Sequence, residues 1–109
     1  MRLCLASLVI CLPLAAGAHQ LNVFASVDCQ SVLVEAKFSN GKAPVAGQVR
    51  VLDGDNTLLS TLDLAPDGTR RVPLDSMDHS GGLVIEVDTG SHEDYWIVTP
   101  EDIARKCGS

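Results

Sequence analysis

The feature that most constrains the fold is an alternation of apolar and polar side chains with a period of two residues. A first segment runs from Leu21 to Val27, and a second from Val32 to Phe38. A period of two puts alternate side chains on opposite faces of a strand, one toward a core and one toward solvent. An amphipathic helix would need a period of 3.6 residues instead. We therefore predict two adjacent β-strands, joined by a tight hairpin over residues 28–30.

Turn signals divide the rest of the chain into further short strands. The predicted strands are Gln48–Leu52, Leu58–Leu64, Arg70–Leu74, Leu83–Asp88 and Glu93–Val98. The connections are rich in Gly, Pro, Asn and Asp, and the strongest turn signal is Asn40-Gly41. Short strands with turns every ~8–12 residues are typical of a sandwich. The predicted class is all-β, a seven-stranded antiparallel β-sandwich.

Only the tail departs from the strand pattern. Thr99 is a favoured N-cap, Pro100 suits the first helical position, and acidic residues follow in the first turn. The cations Arg105 and Lys106 suit the opposite end of the helix dipole. These signals predict one short C-terminal helix.

The first 18 residues have the pattern of a cleaved export signal. Arg2 precedes an apolar run, and small residues stand at Ala16 and Ala18, the −3 and −1 positions of a signal-peptidase site. The sequence thus divides into a signal peptide, 1–18, and one β-sandwich domain, 19–109. We expect a periplasmic mature protein that begins at His19.

Two cysteines remain after cleavage, Cys29 and Cys107. An oxidising compartment makes a disulfide between them the default expectation, worth at most ~4–5 kcal/mol for so long a loop. A thiolate metal pair is the alternative.

Charge and motifs exclude several classes of function. Of the 8 basic residues one lies in the leader, which leaves 7 against 14 acidic residues in the mature chain, a net charge of −7. Without a basic patch, nucleic acid is not an expected partner. No second apolar run approaches the ~20 residues of a membrane-spanning helix. No catalytic motif of hydrolase or metalloprotease type is present, so we expect a non-enzymatic protein.

The strand count assigns residues to the two ends of the sandwich, since successive antiparallel strands run in opposite senses. His19 precedes the first strand and His92 the seventh, so both are expected at one end. Cys29 and Cys107 are expected at the other end, as a disulfide requires. His79, after the fifth strand, is expected at the cysteine end and outside the histidine site.

A metal site can be built at the first end. Cleavage before His19 would expose an α-amine beside its imidazole, and His92 and Glu93 would add a second imidazole and a carboxylate. These donors suit nickel, cobalt, copper or zinc. The alternative interpretation is a frayed terminus at His19 and a solvated loop residue at His92.

Two resemblances add to this interpretation. The segment from Gly41 to Val51 reads G-K-A-P-V-A-G-Q-V-R-V and resembles prealbumin-like and carboxypeptidase-regulatory-like modules, which implies a seven-stranded sandwich. The mature start H-Q-L-N-V-F-A and the segment G-S-H-E-D-Y-W around His92 resemble accessory components of energy-coupling-factor nickel and cobalt transporters. That resemblance implies a periplasmic protein that assists uptake of nickel or cobalt by a membrane-embedded transporter subunit.

Two other hypotheses stay open. An amine–imidazole chelate could carry copper, which binds most tightly to such donors. Alternatively, the domain could be a ligand-free interaction module that docks a partner at a sheet edge.

Overall fold

The computed structural model describes residues 19–107, so the predicted signal peptide lies outside the described residues. Seven strands are followed by one helix. They are β1 (Leu21–Val27), β2 (Ser31–Phe38), β3 (Gln48–Asp53), β4 (Leu58–Asp63), β5 (Thr69–Pro73), β6 (Leu83–Asp88), β7 (Glu93–Val98) and α1 (Pro100–Lys106). Each predicted element is present, and no strand end differs from its predicted position by more than one residue.

The strands form two antiparallel sheets, with orders β1-β2-β5 and β4-β3-β6-β7. The predicted seven-stranded antiparallel sandwich with a short C-terminal helix is confirmed. The core lies between the sheets and is built from the inward residues of the alternation. Its fully buried aliphatic side chains include Val32, Val34, Val49, Val51, Val72, Leu74, Leu83, Ile85, Val87 and Val98.

The β1–β2 hairpin turns over residues 28–30, as predicted. The Asp28 carboxylate accepts hydrogen bonds from the backbone N–H groups of Ser31 and Gln30, at 2.8 and 3.1 Å. The bonds from Ser31, above all, hold the pKa of Asp28 below its ordinary value. Cys29 lies in the left-handed region, with φ 78°. The conformation of this turn thus places Cys29 next to the C-terminal Cys107.

The predicted disulfide is confirmed. Cys29 and Cys107 are bonded, with their Cα atoms 4.8 Å apart. Cys107 is placed by α1, whose Ile103 side chain is only 5% exposed in the core. A capping box fixes the start of α1, because the Thr99 side chain accepts from Asp102 N–H and the Asp102 carboxylate accepts from Thr99 N–H.

Side chains close the seam where β1 of one sheet meets β7 of the other. Asp94 Oδ2 accepts a hydrogen bond of 2.9 Å from the backbone N–H of Val23. This N–H points away from β2 and therefore has no acceptor in that strand. Next to it the Trp96 and Phe24 rings meet edge to face, 5.0 Å between centroids. From the alternation alone, one of Tyr95 and Trp96 would be expected in the core. Instead Tyr95 is 58% exposed, and Trp96 covers the seam.

Replacement of the seam carboxylate should measurably destabilise the domain. In Asp94→Ala the partly buried N–H of Val23 loses its acceptor, which should cost about 1–2 kcal/mol of unfolding free energy. The neighbouring Glu93→Ala is the matched control and should change the free energy by less than ~0.5 kcal/mol, because Glu93 is exposed. Urea unfolding of both variants measures the difference. Equal losses in the two would contradict the assigned role of Asp94.

Candidate metal-binding site

His19 and His92 line the same open cavity, at the end of the sandwich where β1 and β7 begin. The cavity has a volume of about 300 Å³. Its walls are formed by His19, Phe38, Asn40, Lys42, Ala43, Pro44, Val45 and His92. The strand count therefore predicted correctly that residues 73 positions apart in the chain come to one place.

His92 is held by the turn between β6 and β7. Its carbonyl oxygen accepts from Thr89 N–H at 2.9 Å, and the Asp88 carboxylate accepts from Gly90 N–H at 2.7 Å. On the side chain, Nδ1 lies 2.9 Å from Ser91 Oγ, and the ring packs edge to face on Phe38 with 5.3 Å between centroids. Nε2 is then the nitrogen left for a ligand, and a hydrogen bond at the other ring nitrogen is the usual way a metal-binding imidazole is oriented.

His19 is exposed, but the residue that follows it is anchored. Gln20 donates its backbone N–H to Ser39 Oγ at 3.2 Å, and its carbonyl oxygen accepts from Ser39 N–H at 2.8 Å. These bonds tie the start of β1 to the end of β2. If the chain is cleaved before His19, as the sequence predicts, the new terminus would begin one residue from this anchored position.

The structure does not bring Glu93 to the two histidines. Glu93 lines a separate cavity with Glu86, Asp94 and Tyr95. Asp94 is engaged at the seam by Val23 N–H. Within residues 19–107, no three His, Cys, Asp or Glu side chains are grouped so as to hold a metal ion. The side chains available at the candidate site are therefore the two imidazoles.

The remaining wall of the cavity is largely apolar. Phe38, Ala43 and Pro44 form its surface, and Val45 at the tip of the β2–β3 loop is 81% exposed. Asn40 shapes this loop by accepting a hydrogen bond from Lys42 N–H at 3.0 Å. The apolar part of the wall therefore adjoins the two imidazoles.

His79 lies away from this site, as predicted. It lines a cavity of about 590 Å³ at the disulfide end, together with Asp28 and Arg71. There the Arg71 guanidinium donates to Asp28 Oδ2 at 2.9 Å and to Ser31 Oγ at 2.6 Å. The Asp28 carboxylate at this cavity is thus already engaged by Arg71 and Ser31, and among the described residues His79 belongs to no group of three His, Cys, Asp or Glu side chains that could hold a metal ion.

The acidic turns have a structural explanation. The Asp53 carboxylate accepts from the N–H groups of Asp55 and Thr57, and the Asp78 carboxylate from Ser80. Bonds from Ser80, first its backbone N–H, hold the pKa of Asp78 below its ordinary value. These carboxylates order their own loops.

Comparison of the chain with protein-family models, with curated proteins and with solved structures gave no significant match. The class defined here is a small all-β protein with two antiparallel sheets. In the described part of the chain, no helix is both long and apolar enough to cross a membrane.

Proposed function

We propose that the mature chain is a non-enzymatic periplasmic protein that binds Ni²⁺ or Co²⁺ and presents it to a membrane-embedded transporter subunit. The observation that carries the proposal is the shared cavity of His19 and His92. The nickel and cobalt assignment and the transporter partner rest on the resemblance of the segments that contain these histidines.

The donor set fits transient binding. After cleavage, the His19 amine and imidazole close a chelate ring on one ion, and His92 Nε2 supplies a third nitrogen. Imidazole and amine nitrogens suit Ni²⁺, Co²⁺ and Cu²⁺. Three protein donors leave three positions of an octahedral ion open. Ligands of the transporter subunit can therefore bind the ion before this protein releases it.

Location supports the same proposal. The confirmed Cys29–Cys107 disulfide is typical of an oxidising, extracytoplasmic compartment. The acidic surface attracts cations over long range, since the mature chain carries a net charge of −7 by its 7 basic and 14 acidic residues. The exposed Val45 tip lies beside the histidines, so a partner that touches it would also face the ion.

Uptake by living cells tests the function. In a strain that lacks the protein, the wild-type gene should restore accumulation of radioactive nickel or cobalt at limiting metal, and His92→Ala should lose most of that restoration. His79→Ala is the matched control, because His79 lies at the disulfide end, and it should restore uptake fully. A defect corrected by copper alone would assign copper carriage instead. Full restoration by His92→Ala would contradict the proposed site.

A further inference from the structure

The four edges of the two sheets are protected to different degrees. At β1 the Asp94 carboxylate accepts a hydrogen bond from the outward N–H of Val23, and β7 lies alongside the strand. At β5 the strand carries Arg70 and Arg71 and ends at Pro73. Charges, prolines and covered backbone groups are the usual means by which a native edge avoids pairing with another chain.

Strand β4 has such a protection at its C-terminal end, where the Asp63 carbonyl oxygen accepts a hydrogen bond of 3.5 Å from the Arg70 guanidinium, but not over residues 58–62. It pairs only with β3 among the described strands, and residues 58–62 read Leu-Leu-Ser-Thr-Leu, without charge or proline. Leu58 is 48% exposed, and Thr61 is exposed as well. An uncharged, β-prone edge strand is a template for one more strand.

Hydrogen-bond alternation identifies the backbone groups that β4 offers. Leu64 N–H donates to Gly47 O at 2.9 Å, which makes this pair a hydrogen-bonded one. Counting back along the register, Leu62 and Ser60 also direct their backbone groups to β3. Thr61, between them, directs its N–H and C=O away from the sheet.

We propose that β4 pairs with β4 of a second copy of this chain, antiparallel and centred on Thr61. A two-fold axis through Thr61 lets the two Thr61 residues exchange both of their outward hydrogen bonds. Side chains opposite one another share a face, so Thr61 meets Thr61 on the outer face and Ser60 meets Leu62 on the inner face. Such an interface is self-complementary, as a two-fold dimer requires. The product is one continuous eight-stranded sheet.

The charges of the strand do not oppose this pairing. Asp63 is the one charged residue of β4. In the proposed register the two Asp63 residues are four residues apart along the paired strands, about 13 Å at ~3.3 Å per residue. That separation exceeds the Debye length of ~8 Å at physiological ionic strength, so their repulsion is screened.

The two-fold axis keeps self-association separate from the proposed metal site. Antiparallel pairing points the histidine ends of the two copies in opposite directions, so neither copy completes the site of the other. A variant that loses the dimer should therefore retain its metal affinity, and the two proposals can fail independently.

Sedimentation velocity of the purified mature protein, from about 10 µM to 1 mM without added metal, tests the pairing. The wild type should move from monomer toward dimer as concentration rises. Thr61→Lys should weaken the dimer at least tenfold, because two cations would then stand directly opposite one another. Ser26→Lys, an exposed lysine on the protected β1 edge, is the matched control and should associate like the wild type. A wild type that stays monomeric, or a dimer equally strong in Thr61→Lys, would overturn the proposal.

Amide hydrogen exchange on the wild type gives a second test that needs no variant. Exchange at Thr61 N–H should slow as the protein concentration rises, whereas the exchange at Val23 N–H, already bonded to Asp94, should not change. Exchange at Thr61 that is independent of concentration while dimers form would place the interface elsewhere and reject β4 pairing.

Discussion

Addition of one alanine before His19 should lower the affinity of the processed protein for Ni²⁺ at least tenfold. The added residue converts the terminal amine into an amide nitrogen, which does not coordinate readily at neutral pH, while the imidazole remains. Loss of one donor from a chelate ring should cost at least ~1.4 kcal/mol, which is a factor of ten in the dissociation constant. Titration calorimetry on the authentic and extended proteins, each verified by intact mass, measures this difference.

Two histidine variants complete that experiment. His92→Ala should also weaken binding, because His92 lines the same cavity as His19. His79→Ala should bind as the wild type does. Affinity should also fall as pH is lowered, because protons compete with the metal for imidazole and amine nitrogens. Equal affinities of the authentic, extended and His92→Ala proteins would contradict the site.

Removal of the disulfide should be the largest change in stability. The bond joins positions separated by 78 residues, and constraint of so long a loop in the unfolded chain is worth up to ~4–5 kcal/mol. In Cys29→Ser/Cys107→Ser we expect a loss of about 3–5 kcal/mol and a fall in melting temperature of roughly 15 °C or more. Calorimetric melting of the variant measures this loss.

A reductant and a neighbouring substitution serve as controls. The reduced wild type should melt close to the double-serine variant, since both lack the same cross-link. Gln30→Ser, an exposed change in the same turn, should melt within a few degrees of the wild type. If the double-serine variant melted like Gln30→Ser, the disulfide would contribute little to the stability of the domain.

Local signals in the sequence account for most of the architecture. Alternation along β1 and β2 reports directly which face of each strand is buried, and Gly, Asn and Asp clusters mark the turns. Counting strands then sufficed to bring Cys29 to Cys107 and His19 to His92. Because every connection reverses the chain direction, the parity of the strand number alone assigns each residue to an end of the sandwich.

The side-chain contacts at the seam between β1 and β7 cannot be predicted by counting strands. Glu93 follows His92 in the chain, so the strand count places both residues at the same end of the sandwich. Successive residues of a strand face opposite ways, however, and the Glu93 side chain lies on the outer face of β7, in a different cavity. Asp94 could be recognised as a ligand of Val23 N–H only after β1 and β7 were known to adjoin. The position of Trp96 over this seam has the same cause, because the partner Phe24 comes from the other sheet.

The sequence by itself thus determined the strands, their buried faces, the turn at Cys29 and the end of the sandwich to which each histidine belongs. These properties depend on a period of two, on turn chemistry and on parity, all of which are local or countable. The tertiary structure alone decided the order of the strands in each sheet, the side chains that close the seam and the edge that β4 leaves open. Those depend on which distant strands become neighbours, and pairings between distant strands are set by packing of the whole core.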